Sequence, residues 1–233
     1  MSTAKPAIVL VHGAWHGAWC WQRVVPLLER QQFRVSTVEL PSVGASPGQT
    51  IGLQSDAAAV RAVIDKINGP VLLCGHSYGG MVISQASSGN RQVVRLVYVC
   101  AFVPESGESL TALGGGRLAP WIQDVGGGLM LPDLAQAPQI FYSDCDAATQ
   151  SWATGLLRPQ CAAAYTEIVS HPGWKDIPST YVVCAADHGV PPDWQRGVLA
   201  ARLNKAVELD CSHSPFLSQP RALAELLSRE ALP

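Results

Sequence analysis

Short unbroken apolar runs alternate along the chain with longer stretches of mixed polarity. The runs are AIVLV (7–11), FRVSTVEL (33–40), PVLLC (70–74), VVRLVYVC (93–100), TYVVCA (180–185) and KAVELD (205–210). They are bounded by Gly, Pro, Asn and Asp and are rich in Val and Tyr, as strands buried on both faces of a parallel sheet are. Between them the pattern predicts helices over 19–31, interrupted near Pro26, over 56–67, over 78–88, over 193–203 and over 219–230. Ser55 is the expected N-cap of the second, with Asp56 in its first turn; Ser218 is the expected cap of the last, with Pro220 just inside it. Strand and helix repeated in this way predict an α/β chain, a mostly parallel sheet flanked by helices on both faces. In such sheets sites form beyond the carboxyl ends of the strands. Chemistry is therefore expected just after 11, 74, 100, 185 and 210.

The rhythm breaks between 105 and 177, an interval too long for a plain loop. It is expected to form an inserted, mainly helical cap, leaving 1–104 and 178–233 as one discontinuous core domain. Its glycine triplets, Gly114–Gly116 and Gly126–Gly128, read as joints that let it move.

Composition narrows the classes. The 233 residues are 48% apolar and only 15% charged, a composition that folds into a compact core. The net charge of −2, without a run of like charges, argues against nucleic acid as a partner. No run is long enough to span a membrane or to serve as a signal segment, so a cytoplasmic protein without membrane attachment is expected. The seven cysteines are scattered and contain no C-x-x-C, so neither disulfides nor a metal site is expected. No glycine fingerprint of nucleotide binding follows a strand, and no cofactor is expected. The sequence leaves open whether the chain is a monomer or a homodimer.

Two stretches match G-x-S-x-G, the turn that presents a nucleophilic serine: GHSYGG (75–80) and GASPG (44–48). The first follows an apolar run and precedes a helical one; the second lies between loops. Chemistry separates them further. Acyl transfer at serine generates an oxyanion, and the residue after the nucleophile supplies a backbone N–H for it. Pro47 has no N–H, whereas Tyr78 does. One such donor is worth on the order of 3 kcal/mol. Ser77 is therefore the expected nucleophile, and Ser46 a turn residue.

A serine needs a base, and in this turn-centred arrangement the order is Ser, then Asp or Glu, then His. Asp187, after TYVVCA, and His213, after KAVELD, have that order and lie at strand ends. Asp210 and Glu105 are the rival acids, and His188 the rival base. His12 and His16 share a glycine-rich loop without a third metal ligand, His76 is locked beside the nucleophile, and His171 leads out of the insert. The second oxyanion donor is expected from the loop after the first strand, at the N–H of Ala14. Trp15 of that loop, with Trp152 of the insert, is expected to line the substrate pocket.

VLVHGAWHGAWCW, GHSYGG, the Asp187 segment and CSHSPFLSQP together resemble the α/β-hydrolase superfamily, most closely the branch of small esterases related to plant methyl-ester esterases and hydroxynitrile lyases. The resemblance implies an α/β-hydrolase fold, catalytic Ser77, Asp187 and His213, and oxyanion donors at Ala14 and Tyr78. APWIQD resembles the stretch where that branch carries a pocket tryptophan, which implies Trp121. The lyases carry threonine after the first-strand histidine and lysine after the catalytic histidine; here Gly13 and Ser214 stand there. The expected activity is hydrolysis of a small to medium apolar carboxylic ester or lactone through an acyl-enzyme. The alternatives are a hydroxynitrile-lyase-like carbon–carbon lyase and a ligand-binding, receptor-like protein with a vestigial triad.

Overall fold

A computed structural model describes residues 5–232; residues 1–4 and 233, which the sequence reading assigns to the core, lie outside the described residues. Six parallel strands form the main sheet: β1 (Ala7–Val11), β2 (Val35–Val38), β3 (Val71–His76), β4 (Val93–Val99) and, after three short strands taken up below, β8 (Ser179–Cys184) and β9 (Lys205–Leu209). Their order is β2-β1-β3-β4-β8-β9. The inner strands β1, β3 and β8 are buried at every position, which is why their sequences are apolar without alternation. The edge strands are not: β2 is only partly buried and β9, KAVEL, alternates toward solvent.

Helices pack on both faces. They are α1 (Val25–Arg30), α2 (Leu53–Ile64) and α3 (Gly79–Ala86), then four short helices of the insert, α4 (Leu110–Leu113), α5 (Ala137–Phe141), α6 (Ala147–Gly155) and α7 (Ala163–Thr166), and finally α8 (Pro192–Trp194), α9 (Pro215–Ser218) and α10 (Pro220–Ala231). Among the described residues no helix is long and apolar enough to cross a membrane.

Three helix boundaries differ from expectation. The helix expected at 56 starts at Leu53 with Gly52 in the cap position, so Ser55 lies inside it and Asp56 turns inward. The stretch 193–203 is three pieces, α8, a π-turn over Gln195–Leu199 and a 3₁₀ turn over Ala200–Arg202. Ser218 ends the short α9 rather than capping α10, whose N-cap is Gln219. In each case tertiary contacts outweigh local propensity.

The insert leaves after β4 and returns at β8, its direct neighbour in the sheet. Besides its helices it carries a three-stranded antiparallel sheet of β5 (Ile122–Asp124), β6 (Leu129–Pro132) and β7 (Gln160–Cys161). Gly126–Gly128, read from sequence as a joint, are the β5–β6 connection, all three at positive φ. The GASPG loop straps this sheet down: Gly44 N–H donates to the Pro159 carbonyl and Gly48 N–H to that of Gly127. Ser46 is exposed, its N–H taken by Gln49 Oε1.

Candidate active site

The turn after β3 is built for close approach. Ser77 has φ of 52°, a left-handed conformation that costs a non-glycine residue on the order of 1–3 kcal/mol. Its neighbours hold it there. The Ser77 N–H donates to Val99, and its carbonyl accepts from Gly80 and Phe102. The surrounding glycines have no room for a side chain: a β-carbon on Gly75 would meet the Gly79 carbonyl at 2.6 Å, and one on Gly79 the Val11 and His12 carbonyls at 2.8 Å.

Two residues that line the cavity beyond this turn have peptides held by hydrogen bonds to the preceding carbonyl. The first is Tyr78. A trans peptide points its N–H opposite its C=O, and the Ser77 carbonyl of that peptide is pinned by two donors, the N–H groups of Gly80 and Phe102. The second is Ala14. Here the Gly13 carbonyl is held by His12: His12 Nε2 accepts the Leu40 N–H at 3.1 Å, so its Nδ1 carries the proton and donates to Gly13 at 2.8 Å. His16 does the same one peptide on, donating to the Ala14 carbonyl at 2.7 Å while its Nε2 accepts the Tyr142 hydroxyl at 2.8 Å. Burial drives both imidazoles neutral, His12 down to about 4 and His16 to about 3. Neither the Ala14 nor the Tyr78 N–H is given to a backbone carbonyl among the described residues.

His213 follows β9 and is nearly fully buried. Its Nδ1 lies 2.7 Å from Asp187 Oδ2, and its carbonyl accepts His76 Nε2–H at 2.9 Å. Asp187 follows β8, and its other oxygen accepts the N–H groups of Gly189 and Val190 at 2.7 and 2.9 Å. Gln195, at the start of the π-turn, adds a donor to Oδ2 at 2.9 Å. Among the described residues no hydrogen bond joins Ser77 to His213, but both line one cavity. Histidine and nucleophile in hydrolase sites often tighten only when substrate is bound.

Two segments of the insert are tied to these loops. Asp144 accepts both the N–H and the hydroxyl of Ser212, next to His213. His188 Nδ1, next to Asp187, lies 3.0 Å from the Gln139 carbonyl and 3.1 Å from the Gln139 side-chain amide, so one tautomer or the other ties it to Gln139.

The cavity has a volume of about 580 Å³ and is walled by aromatic rings, among them Trp15, Phe102, Trp121, Phe141, Tyr165 and Trp194. Trp15 packs edge-on to Trp121, ring centres 5.7 Å apart. Arg117, which is exposed, is the one permanently charged residue lining it among the described residues. Trp152 is the exception among the expected pocket residues. It does not line the cavity; its ring packs edge-on against Trp19 at the surface, 5.3 Å between centres.

The rival residues fall elsewhere. Glu105 pairs with Lys175, His171 with Asp176, and His188 is an exposed strut. His76, Cys100 and His213 bring three ligand atoms within 4.8 Å of one another. The Cys100 thiol and His76 Nε2–H both donate to the His213 carbonyl, which leaves His76 Nδ1 buried without a partner among the described residues. Burial pushes the Cys100 thiol up to about 12, away from the thiolate a metal needs. Sequence reasoning missed Gln195 and Asp56, since neither belongs to a motif and only tertiary folding brings them to Asp187 and Tyr78.

The alpha/beta hydrolase family model matches residues 8–226. The chain is 34% identical to an alpha/beta hydrolase, nvfD, of Aspergillus novofumigatus over 97% of each chain. It is 31% identical to a carbendazim hydrolyzing esterase of Nocardioides sp., covering 94% of this chain and 97% of that one. Among solved structures, a pyrethroid hydrolase from Sphingobium faniae superposes with a TM-score of 0.85 at 25% identity, over 97% of each chain. With the sheet order, the strand-end loops and these relatives in agreement, the chain belongs to the alpha/beta hydrolase family, in its branch of small esterases related to plant methylesterases and hydroxynitrile lyases.

Proposed function

We propose that the protein is a serine esterase acting on small to medium apolar carboxylic esters or lactones, with Ser77, His213 and Asp187 as its triad. One observation carries the reading: Ser77 and an Asp187-paired His213 line the same apolar cavity as Ala14 and Tyr78, whose N–H groups have no backbone acceptor among the described residues. Ser77 Oγ attacks the ester carbonyl as His213 Nε2 takes its proton. Asp187 keeps the tautomer with the proton on Nδ1 and stabilises the imidazolium. The N–H groups of Ala14 and Tyr78 receive the oxyanion, and their fixed peptides mean that no reorganisation is needed as charge develops. His213 then protonates the leaving alkoxide. Water, deprotonated by His213, attacks the acyl-Ser77 carbonyl, and collapse of that intermediate returns the proton to Ser77 and releases the acid.

Residues 105–177 serve in this reading as a cap over a core of 1–104 and 178–233. The aromatic walls, shared between loops of the core and the insert, favour an apolar or aromatic acyl group. The lyase alternative loses support at two positions. A β-carbon on Gly13 would lie 2.7 Å from His76 Nδ1 and 2.9 Å from Ser77 Cβ, so a threonine has no room there. Ser214, buried after His213, offers no cation for a departing cyanide.

The test is labelling by a fluorophosphonate probe together with hydrolysis of an ester series graded by acyl size. Labelling and turnover that both vanish in Ser77→Ala support the reading. Labelling that survives in that variant overturns it.

A further inference from the structure

Asp56 takes no part in the chemistry above, yet it is fully buried one side chain away from the proposed nucleophile. Its Oδ2 accepts the Tyr78 hydroxyl at 2.7 Å and the Ser42 hydroxyl at 2.6 Å, and its Oδ1 accepts the Ser42 N–H at 2.9 Å. The network continues to the cavity wall. Gln160 Nε2–H donates to Ser42 Oγ at 2.9 Å, and the Tyr165 hydroxyl donates to Gln160 Oε1 at 3.0 Å. Tyr78 and Tyr165 both line the cavity, and each ends in this network.

We propose that Asp56 is a positioning residue for the Tyr78 backbone N–H: by anchoring the phenol at the far end of the ring, it fixes the peptide that receives the oxyanion. The proposal rests on the Ser77 reading. Tyr78 precedes the first residue of α3, so its N–H lies outside the helix ladder and owes its direction to the turn. That turn departs from ordinary serine geometry at Ser77. The Ser77 carbonyl is held by the N–H groups of Gly80 and Phe102, and the next residue is held by its phenol on Asp56. Packing alone does not call for a carboxylate here. Burying one is costly unless every lone pair has a donor, and an apolar pair of similar shape would fill the space as well. A carboxylate can accept three donors at once; asparagine, with one oxygen and an NH₂ group, cannot.

The experiment is a double-mutant cycle of Asp56→Asn and Tyr78→Phe, read by kcat, KM and inhibition by a trifluoromethyl ketone, which forms a tetrahedral oxyanion adduct. Loss of a whole oxyanion donor lowers kcat by about 10²–10³; a misdirected one is expected to lower it by about tenfold. KM should stay within about twofold, and the inhibition constant should rise in step with the fall in kcat. Because Asp56 acts through Tyr78, the double variant should be no slower than the slower single one. Tyr78→Phe leaves Asp56 bonded to Ser42 and tests the same link if the asparagine variant fails to fold. Unchanged kcat in both variants, a change confined to KM, or additive losses would overturn the proposal. The rate of fluorophosphonate labelling separates the two levels. A parent that labels and variants that label equally fast overturn the Asp56 role alone; a parent that does not label at Ser77 overturns the esterase reading with it.

Discussion

Gln195 donates its side-chain N–H to the Asp187 oxygen that faces His213, at 2.9 Å, from the first position of a π-turn. The same amide donates to the Val190 carbonyl and accepts the Cys184 N–H, so one buried glutamine ties the end of β8 to the loop carrying the acid. Single π-turns inside helices recur at functional sites. Gln195→Leu leaves Asp187 one donor short and the Cys184 N–H without a partner. It should cost about 1–3 kcal/mol of stability and lower kcat more than it raises KM. Thermal unfolding with steady-state kinetics checks both; a variant with parental kcat would show that Asp187 is oriented without Gln195.

Gly13 gives a sharper prediction. The space where its side chain would stand is filled by His76 and Ser77. Gly13→Thr should therefore remove esterase activity and lower the melting temperature, and it should not confer cyanohydrin cleavage. Appearance of that cleavage in an ester- and cyanohydrin-coupled assay would mean that the loop can move aside.

The pocket residues separate by substitution. Trp121→Ala removes an aromatic contact worth about 0.5–1.5 kcal/mol and should raise KM for aromatic esters several-fold, with a smaller effect on acetyl esters. Trp152→Ala should leave both unchanged, because that ring packs on Trp19 outside the cavity. Equal effects of the two substitutions would contradict the cavity boundary.

Acid should weaken the fold. Burial lowers His12 to about 4, His16 to about 3 and His76 well below the ordinary histidine value of 6.5. Below about pH 6.5 the unfolded chain binds protons that the folded chain refuses, so stability that is full above that pH is lost progressively toward 4 and below. Asp56 works in the opposite sense. Burial raises it from 3.8 to about 6, so between those values the folded chain is the better proton acceptor and gains stability on acidification. Three losses outweigh one gain. Differential scanning calorimetry should show the melting temperature falling from pH 7 to pH 4.5, and falling more steeply in Asp56→Asn. A flat profile would mean that the three imidazoles are not held neutral.

Much of the framework was legible in the chain because it is written in local pattern. Six apolar runs became the six strands, and β1, β3 and β8, buried at every position, have no polar side to alternate. Pro47 after one serine and Tyr78 after the other separated two identical motifs by a property of the backbone, and the structure has Ser46 in an exposed turn. What stayed hidden depends on distant contacts. Gly52 rather than Ser55 caps α2, and Asp56, which reads as a surface charge at a helix start, is folded under Tyr78. The three strands of the insert are two to four residues long, too short to carry a period, and their partners are supplied by one another and by the loop at 44–48. The APWIQD stretch marks Trp121, but nothing in the sequence shows that Trp152 packs on Trp19 outside the cavity while Trp121 packs on Trp15 within it.

The bonds from Asp144 to Ser212 and from His188 to Gln139 make one side of the cavity a fixed wall. Moving residues 139–144 away from the substrate would break these bonds or shift the loops of His213 and Asp187. Among the described residues the stretch from Leu113 to Ile122 forms no hydrogen bond to the loops of the triad; it carries Arg117, Leu118 and Trp121, whose ring packs on Phe141 at 5.5 Å between centres. The molecule thus divides its cavity into a half that keeps the chemistry aligned and a half that can be recut, so that a change of acyl preference by substitution in 113–122 need not disturb the machinery that cleaves the bond.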